Sequence, residues 1–327
     1  MEVLNKRCQH YSLKVFKLVR NLNLPFGIST WTTVFSLVFI FNVLIQNTNQ
    51  LKQINFESFS FYLFLISLFI AIFSLFINAM AWRSLLYWIG CTKSQLDDIF
   101  SLYIRTNLYK YLPGGVWHFV ARLKALSGKL NSTDAIRGVI LEPFLMLSAA
   151  MLFAPLGGLI KGFSFIFLFP SLLFLSKFRD LILDFIKRRK FDRLEVFSIS
   201  FKGDIENLKR RLGPPLKPLF IETLFIILRF ISLLLCLSAF SLDYQGLIYK
   251  LLGAFSLAWS IGLIVPAAPG GVGVFESVFI FQVGDYFPQA LLVFVLIAYR
   301  LIITLSDFLA LAFIALSKNK ILIKNQN

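Results

Sequence analysis

Long apolar runs, separated by polar and mostly basic stretches, dominate this chain. A helix needs about 20 apolar residues to cross about 30 Å of hydrocarbon, and several runs approach or exceed that length. The pattern predicts membrane segments at 26–45, 60–82, 135–153, 159–175, 221–240, 247–265 and 287–316. A shorter apolar piece, 273–284, lies before the last of them. We therefore predict an all-α, polytopic membrane helix bundle of about eight segments, with helices that are broken or re-entrant.

Composition excludes a soluble enzyme and most metal or redox chemistry. Of the 327 residues, 57% are hydrophobic and 15% are charged, whereas about 25% are charged in an ordinary soluble domain. Three scattered cysteines and two histidines make neither a disulfide framework nor a metal-ligand cluster. We predict no cofactor and no metal.

The distribution of basic residues predicts the orientation in the membrane. Most of the 33 Lys and Arg residues fall in four stretches: 1–25, 83–134, 176–220 and 317–327. The positive-inside rule places these stretches, and with them both termini, in the cytoplasm if there are eight segments. If 273–284 re-enters without crossing, there are seven and the termini lie on opposite sides. The predicted parts are a basic N-terminal segment, a membrane domain over 26–316 with a basic cytoplasmic loop at 176–220, and a cytoplasmic tail.

The net charge of +16 could suggest a nucleic-acid partner. The basic residues instead cluster beside membrane segments, and no nucleic-acid-binding motif accompanies them. That placement fits topology and attraction to anionic lipid headgroups, so we predict no nucleic-acid partner.

Two similar motifs interrupt apolar segments nearly half the chain apart. Residues 113–119 read Pro-Gly-Gly-Val-Trp-His-Phe, and residues 269–275 read Pro-Gly-Gly-Val-Gly-Val-Phe. Paired breaks of this kind point to a transporter binding site. A helix that restarts after a break offers free N–H groups and a positive dipole end to an anion, such as a lipid phosphate. The alternative is a pair of ordinary interfacial turns.

Ionisable residues inside apolar segments are the second functional signal. Each costs about 2.5–3.5 kcal/mol on insertion scales, so each is a functional hypothesis by default. They are Glu142, Arg229, Glu276, Arg300 and Asp307, with Glu222 near a helix start and Arg122 nine residues after Pro113. Convergence of these charges would form a central polar cavity of mixed sign, and the alternative is interhelical ion pairs that serve only assembly. His118 is either a proton relay or a polar residue near the interface.

These motifs carry a resemblance to a known family. Tyr111-Leu112-Pro113-Gly114-Gly115, with Arg122 beyond, resembles the first signature of the lysylphosphatidylglycerol synthase transmembrane family, although Gly115 stands where many relatives carry Lys. The run 266–276, which ends in Glu276, is similar to a second signature, and Tyr299-Arg300 to a third.

The resemblance implies the flippase-like membrane half of that family, in a bacterial cytoplasmic membrane. The chain ends about ten residues past its last predicted segment, so we expect no aminoacyl transferase domain and no enzymatic activity.

The leading hypothesis is a lipid translocase or lipid-binding transporter that takes a membrane phospholipid or lipid-linked substrate. The headgroup phosphate would lie at the two breaks, arginines would neutralise it, and Glu276 and Asp307 would contact a cationic part or carry a coupling proton. The candidate substrate-binding residues are Pro113, Gly114, Gly115, His118, Arg122, Arg229, Pro269, Gly270, Gly271, Gly273, Glu276, Arg300 and Asp307.

Two other functions compete with this one. A non-catalytic partner subunit would present a lipid intermediate to a glycosyltransferase or other lipid-modifying enzyme, with 176–220 as its docking surface. An intramembrane enzyme ranks last, because no nucleophile motif or metal set accompanies the carboxylates. The sequence leaves the oligomeric state open.

Overall fold

A computed structural model of the protein describes residues 59–112, 117–157, 214–264 and 273–324, excluding the side chains of 132, 133 and 318–324. These ranges are helical and contain no strand, so the all-α prediction is confirmed. The α-helices are α1 (Phe61–Ile89), α2 (Ile99–Asn107), α3 (Trp117–Leu126), α4 (Ser132–Met151), α5 (Leu216–Ala239), α6 (Ile248–Ile264), α7 (Val274–Val283) and α8 (Gln289–Lys324). Short 3₁₀ turns connect several of them, including Leu108–Tyr111 after α2 and Ala154–Gly157 after α4.

Three of the described helices are long and apolar enough to cross a membrane: α1, α5 and the Gln289–Ser317 part of α8. Helix α6 is apolar but shorter. Helix α7 has ten residues, about 15 Å at the rise of an α-helix, which is half the hydrocarbon thickness. The predicted segments 26–45 and 159–175 and the loop 176–220 lie outside the described residues, so the segment count and the domain boundaries stay predictions.

Helices α1 and α5 form an antiparallel pair. The Ser60 amide donates to the Ala239 carbonyl at 2.9 Å, and farther along the pair Ser67 Oγ donates to the Ser232 carbonyl at 2.7 Å. The Ser232 hydroxyl donates back to the Ser67 carbonyl at 3.0 Å. Small polar residues allow membrane helices to approach closely and bond across the interface, so these serines fix the register of the pair.

The apolar interior of the described residues has two parts. One is rich in aromatic side chains of α5, α6 and α7, with Phe255 edge-on to Phe275 and Phe275 stacked on Phe279. The other surrounds Trp82 of α1 and draws on α2, α4 and the distal part of α8. Trp82 Nε1 donates to the Gly138 carbonyl at 2.9 Å, which satisfies the indole and joins α1 to α4.

Helix α6 packs directly against the turn that follows α4. A Cβ placed on Gly253 would lie 1.9 Å from the Gly157 nitrogen, so the two backbones touch and no side chain fits between them. The prediction of a turn after 135–153 is thus met by the 3₁₀ turn at Ala154–Gly157, which packs against the middle of α6.

Candidate functional site

The ion pairs that involve buried charges of the described helices divide into three groups. Each group joins side chains of different helices, and each contains at least one acidic side chain that is almost completely buried. We name them, after their acidic members, the Glu142 group, the Asp307 group and the Glu276 group.

The Glu142 group lies between α3 and α4. Arg122 Nη1 of α3 donates to both carboxylate oxygens of Glu142 in α4, and the two side chains are 2% and 3% exposed. Arg122 Nε donates to Thr106 Oγ1 at 3.3 Å, and its guanidinium carbon lies 4.0 Å from the centre of the Tyr103 ring. The Arg122 charge is therefore neutralised within the protein.

Glu222 of α5 interacts electrostatically with Glu142 and Arg122 and is 1% exposed. Its Oε1 is buried without a hydrogen-bond partner in the described part of the chain. Because Arg122 is paired with Glu142, an ionised Glu222 would be a buried charge without a counter-ion among the described residues.

The Asp307 group joins α8, α5 and the turn after α2. Lys110 Nζ lies 2.6 Å from Asp307 Oδ2, and Tyr111 Oη donates to the same oxygen at 2.6 Å. Asn107 Nδ2 donates to Asp307 Oδ1 at 3.1 Å, and Arg229 Nη2 lies 3.9 Å from that oxygen. Among the described residues, two basic side chains thus face one carboxylate, so basic groups outnumber acidic ones within this set.

The Arg229 guanidinium is the least satisfied member of this group. Its side chain is 2% exposed, and its Nε and Nη1 have no hydrogen-bond partner among the residues that the structure describes. The Arg229 backbone carbonyl, in contrast, accepts a hydrogen bond from Tyr299 Oη at 3.1 Å, which ties α5 to α8 beside the charge.

The Glu276 group forms at the start of α7. Gly273 precedes the helix with φ of 90°, a left-handed conformation that glycine adopts without a steric penalty. Its amide donates to Glu276 Oε2 at 2.7 Å, while Arg300 Nε of α8 donates to Glu276 Oε1. The Glu276 carboxylate therefore accepts a hydrogen bond from an N–H at this helix start, where the sequence had suggested a substrate anion.

The three groups follow one another along the bundle. Arg229 of α5 meets Asp307 of α8, and Cys236 Sγ contacts the Val295 carbonyl at 3.7 Å, so the two helices run antiparallel. Glu222 is seven residues from Arg229 on α5, and Arg300 is seven residues from Asp307 on α8, so each lies about 10 Å along its helix axis from the Asp307 group. Because the helices are antiparallel, Glu222 and Arg300 lie on opposite sides of the Asp307 group. The charges therefore form a series of about 20 Å, not a single central cavity.

Comparison with known proteins supports the signatures found in the sequence. The family described as "Lysylphosphatidylglycerol synthase TM region" matches residues 31–310, well over half of the chain. The chain belongs to this family. No curated protein and no solved structure matched the chain. Membership supports a multi-pass membrane protein with a function related to membrane lipid, and the matched region of the family is not itself the catalytic domain.

Several of the family's signature positions fall outside the described residues. These are Pro113, Gly114 and Gly115 of the first break and Pro269, Gly270 and Gly271 of the second. Their role in binding stays a prediction. The described residues just beyond each break, Trp117–Leu126 and Gly273, begin new helices, as expected for a broken helix.

His118 lies at the start of α3, immediately after the first break. Its ring centre is 3.8 Å from that of Phe119, and its Nδ1 is buried without a hydrogen-bond partner among the described residues. It forms no ion pair with the three charged groups. Whether His118 is a proton relay or a polar residue near the interface stays a prediction.

Sequence reasoning missed Lys110 and Asn107, and it found Tyr111 only through the family resemblance. All three contact Asp307, and all three lie within six residues of Pro113. Their position just before the Pro-Gly-Gly motif was the available signal.

Proposed function

We propose that the protein translocates or binds a membrane lipid with an anionic headgroup, which it holds at the Asp307 group. One observation carries the proposal: Lys110 and Arg229 both face the single carboxylate of Asp307. An excess positive charge buried in a membrane bundle is unfavourable unless an anion compensates it. A lipid phosphate supplies that anion in a membrane protein of this family.

The geometry of Arg229 supports the same ligand. Its Nε and Nη1 are buried donors without partners among the described residues, and leaving such a donor unsatisfied costs about 1–3 kcal/mol. Charge-assisted hydrogen bonds from arginine to phosphate are strong. Nε–H and Nη1–H leave different edges of the guanidinium, so a headgroup phosphate would accept from one of these nitrogens, with Asp307 holding the Lys110 ammonium beside it.

The series of charged groups supports translocation in preference to simple binding. Three ionic groups at intervals of about 10 Å reach across about 20 Å of the bundle, and each contains a cation, namely Arg122, Arg229 or Arg300. A phosphate moving along the series would exchange one guanidinium for the next instead of entering hydrocarbon. Glu142, Asp307 and Glu276 would hold the cations in place between passages.

An apolar cavity supports a ligand with acyl chains. It has a volume of about 380 Å³ and lies between α3, α4 and the end of α6. Phe119 lies just after the first break, and Ile264 lies just before the second. Acyl chains would extend through this cavity while the headgroup contacts the residues that flank the breaks.

The proposal extends to the setting of the protein. Both termini would face the cytoplasm of a bacterial cell, as the basic stretches predict, and the protein would act without enzymatic chemistry or a cofactor. The two Pro-Gly-Gly breaks would contribute backbone N–H groups to the headgroup.

Lipid exchange in proteoliposomes tests this function. Wild-type protein and the R229Q variant would be reconstituted with headgroup-labelled anionic or zwitterionic phospholipid, and access to an impermeant quencher would be followed over time. We expect wild-type protein to accelerate exchange of the anionic lipid and R229Q to slow it at least tenfold. The matched control is K124Q, which neutralises an exposed basic residue of α3.

Two outcomes would redirect the interpretation. Wild-type exchange rates in correctly folded R229Q would show that the Asp307 group is not the headgroup site. Absence of exchange for every lipid class, with and without an imposed proton gradient, would favour the partner-subunit function. Co-purification of a lipid-modifying enzyme would then be the measurement to make.

A further inference from the structure

A second cavity lies at one end of the α1–α5 pair. It has a volume of about 570 Å³ and opens between the last turns of α1 and the first turns of α5. Because these helices are antiparallel, the C-terminal end of α1 and the N-terminal end of α5 lie together. Lys217 is twelve residues before Arg229 on α5, about 18 Å along the axis, so this cavity is separate from the Asp307 group.

The charged residues that line this cavity in the described part of the chain are both basic. They are Arg83 of α1 and Lys217 of α5. Arg83 Nη2 donates to Tyr87 Oη at 3.4 Å, which directs the guanidinium along α1. Arg83 Nε is buried and has no hydrogen-bond partner among the described residues, so one donor of this guanidinium is unsatisfied there.

The start of α5 adds to the positive potential. This 24-residue helix begins after Pro215 without a side-chain cap, and its first turn contains no acidic residue. A helix N-terminus favours a negative charge, and a cation such as Lys217 is unfavourable there unless an anion lies between them. The first turn of α5 therefore has the charge pattern of an anion site and lacks an anion of its own.

The rim of the cavity is apolar and faces outward. Met80, Tyr87 and Leu216 are 49%, 40% and 68% exposed, and in a membrane such surfaces face lipid. Aromatic side chains such as Tyr87 are typical of the membrane–water interface. A ligand of this cavity therefore has an anionic part for Arg83 and Lys217 and an apolar part for the rim.

We propose that this cavity binds an anionic phospholipid, with its phosphate between Arg83 and Lys217 and its acyl chains against Met80 and Ile221. The basic stretches on either side predict that this end of the bundle is cytoplasmic, where anionic lipids attract basic residues. Basic pockets between helices on that side of a membrane are suited to such headgroups. The proposal holds whether or not the protein translocates lipid, because it concerns a site outside the charged series.

Lipid titration monitored by native mass spectrometry tests the proposal. The purified full chain would be titrated with phosphatidylglycerol and with phosphatidylcholine of the same acyl chains. We expect selective binding of phosphatidylglycerol, weakened about thirtyfold in the R83Q/K217Q double variant, and unchanged binding of phosphatidylcholine. The R83K/K217R variant keeps both charges and should bind within about threefold of wild type.

The K93Q/K124Q variant is the matched control, since it removes two exposed basic residues of the same predicted cytoplasmic region. An equal loss of phosphatidylglycerol binding in this control would overturn the proposal in favour of non-specific attraction. Unchanged binding in R83Q/K217Q would also overturn it. A third contrary result is binding of glycerol phosphate as tight as that of the lipid, which would identify a soluble ligand. Retention of wild-type lipid exchange by R83Q/K217Q would separate this site from the Asp307 group.

Discussion

Both carboxylate oxygens of Glu142 accept hydrogen bonds from Nη1 of Arg122, and the two side chains are almost completely buried between α3 and α4. The pair connects the helix that follows the first break to a helix of the bundle. Glu222 lies in the same region without such a partner among the described residues. Within the described residues, buried Glu142 therefore has a counter-ion and buried Glu222 has none.

The first prediction is that E142Q destabilises the protein strongly and E222Q does not. Removing one member of a buried ion pair leaves an uncompensated charge and costs about 3–5 kcal/mol. We expect a loss of that size in the free energy of unfolding by sodium dodecyl sulfate titration. An unpaired buried carboxyl is more stable in its neutral form, which glutamine reproduces, so E222Q should change stability by less than about 1 kcal/mol.

The contrast between these two variants is its own control, because both exchange a buried glutamate for glutamine. A large loss in E222Q would mean that Glu222 is ionised and paired with a basic residue outside the described ranges. An infrared band of a protonated carboxyl that disappears in E222Q would independently establish the neutral form.

The second prediction concerns competition at the Asp307 group. The Asp307 carboxylate repels a phosphate that approaches Arg229, so D307N should bind an anionic phospholipid about tenfold more tightly, equivalent to about 1.4 kcal/mol. Lipid titration by native mass spectrometry measures this. D98N, which neutralises an acidic residue near Lys129 outside the group, should leave the affinity unchanged. Weaker binding in folded D307N would mean that Asp307 itself contacts the ligand.

The helix positions were predictable because the length of an apolar run is nearly enough to define a membrane helix. The predicted segments that the structure describes differ from its helices at their ends, and α2 and α3 were not among the predicted segments. Helix α1 continues past the apolar run that ends near Trp82 to Ile89, because the chain terminates it at Gly90 in the left-handed conformation. Helix α5 starts five residues earlier than predicted, directly after Pro215, although Lys217 lowers the hydropathy there.

The candidate site was only partly predictable. Seven-residue spacing correctly placed Arg300 and Asp307 on one helix about two turns apart. Their partners were not predictable from spacing, since Asn107 contacts Asp307 across 200 residues of sequence. The structure also places Arg122 against Glu142, a partner that the sequence did not predict, and its contact with a lipid phosphate stays a prediction. Pairing between distant charges depends on helix packing, which local patterns do not encode.

The third prediction compares two glycines of α6. A Cβ at Gly253 would clash with backbone atoms of Gly157, whereas a Cβ at Gly262 would lie 3.8 Å from Phe275 Cβ, an ordinary contact. We expect G253A to destabilise the protein by at least about 1–3 kcal/mol, the usual cost of overpacking. G262A should be neutral or slightly stabilising, because alanine favours a helix by up to about 1 kcal/mol over glycine. Thermal unfolding in detergent measures both, and equal midpoints would contradict the close approach of α6 to the Ala154–Gly157 turn.

The fourth prediction separates an assembly role of the Glu276–Arg300 pair from a role in translocation. The E276Q variant removes the described carboxylate partner of Arg300, and R300Q removes the described cation beside Glu276. We expect each to lose about 0.5–3 kcal/mol of stability, the range of coupled neighbours. The E276Q/R300Q double variant removes both charges, so its stability should return toward that of wild type. A complete double-mutant cycle of unfolding free energies gives this coupling.

Lipid exchange in the same four proteins then distinguishes the two roles. If the pair serves only assembly, the double variant should recover wild-type exchange along with its stability. If Arg300 receives the phosphate after Arg229, exchange should remain at least tenfold slower in the double variant although the fold is restored. We expect the second result, because Arg300 lies about 10 Å beyond the Asp307 group on the same helix and is 22% exposed, so a headgroup can reach it. If the double variant recovers both wild-type stability and wild-type lipid exchange, the Glu276 group does not lie on the proposed path.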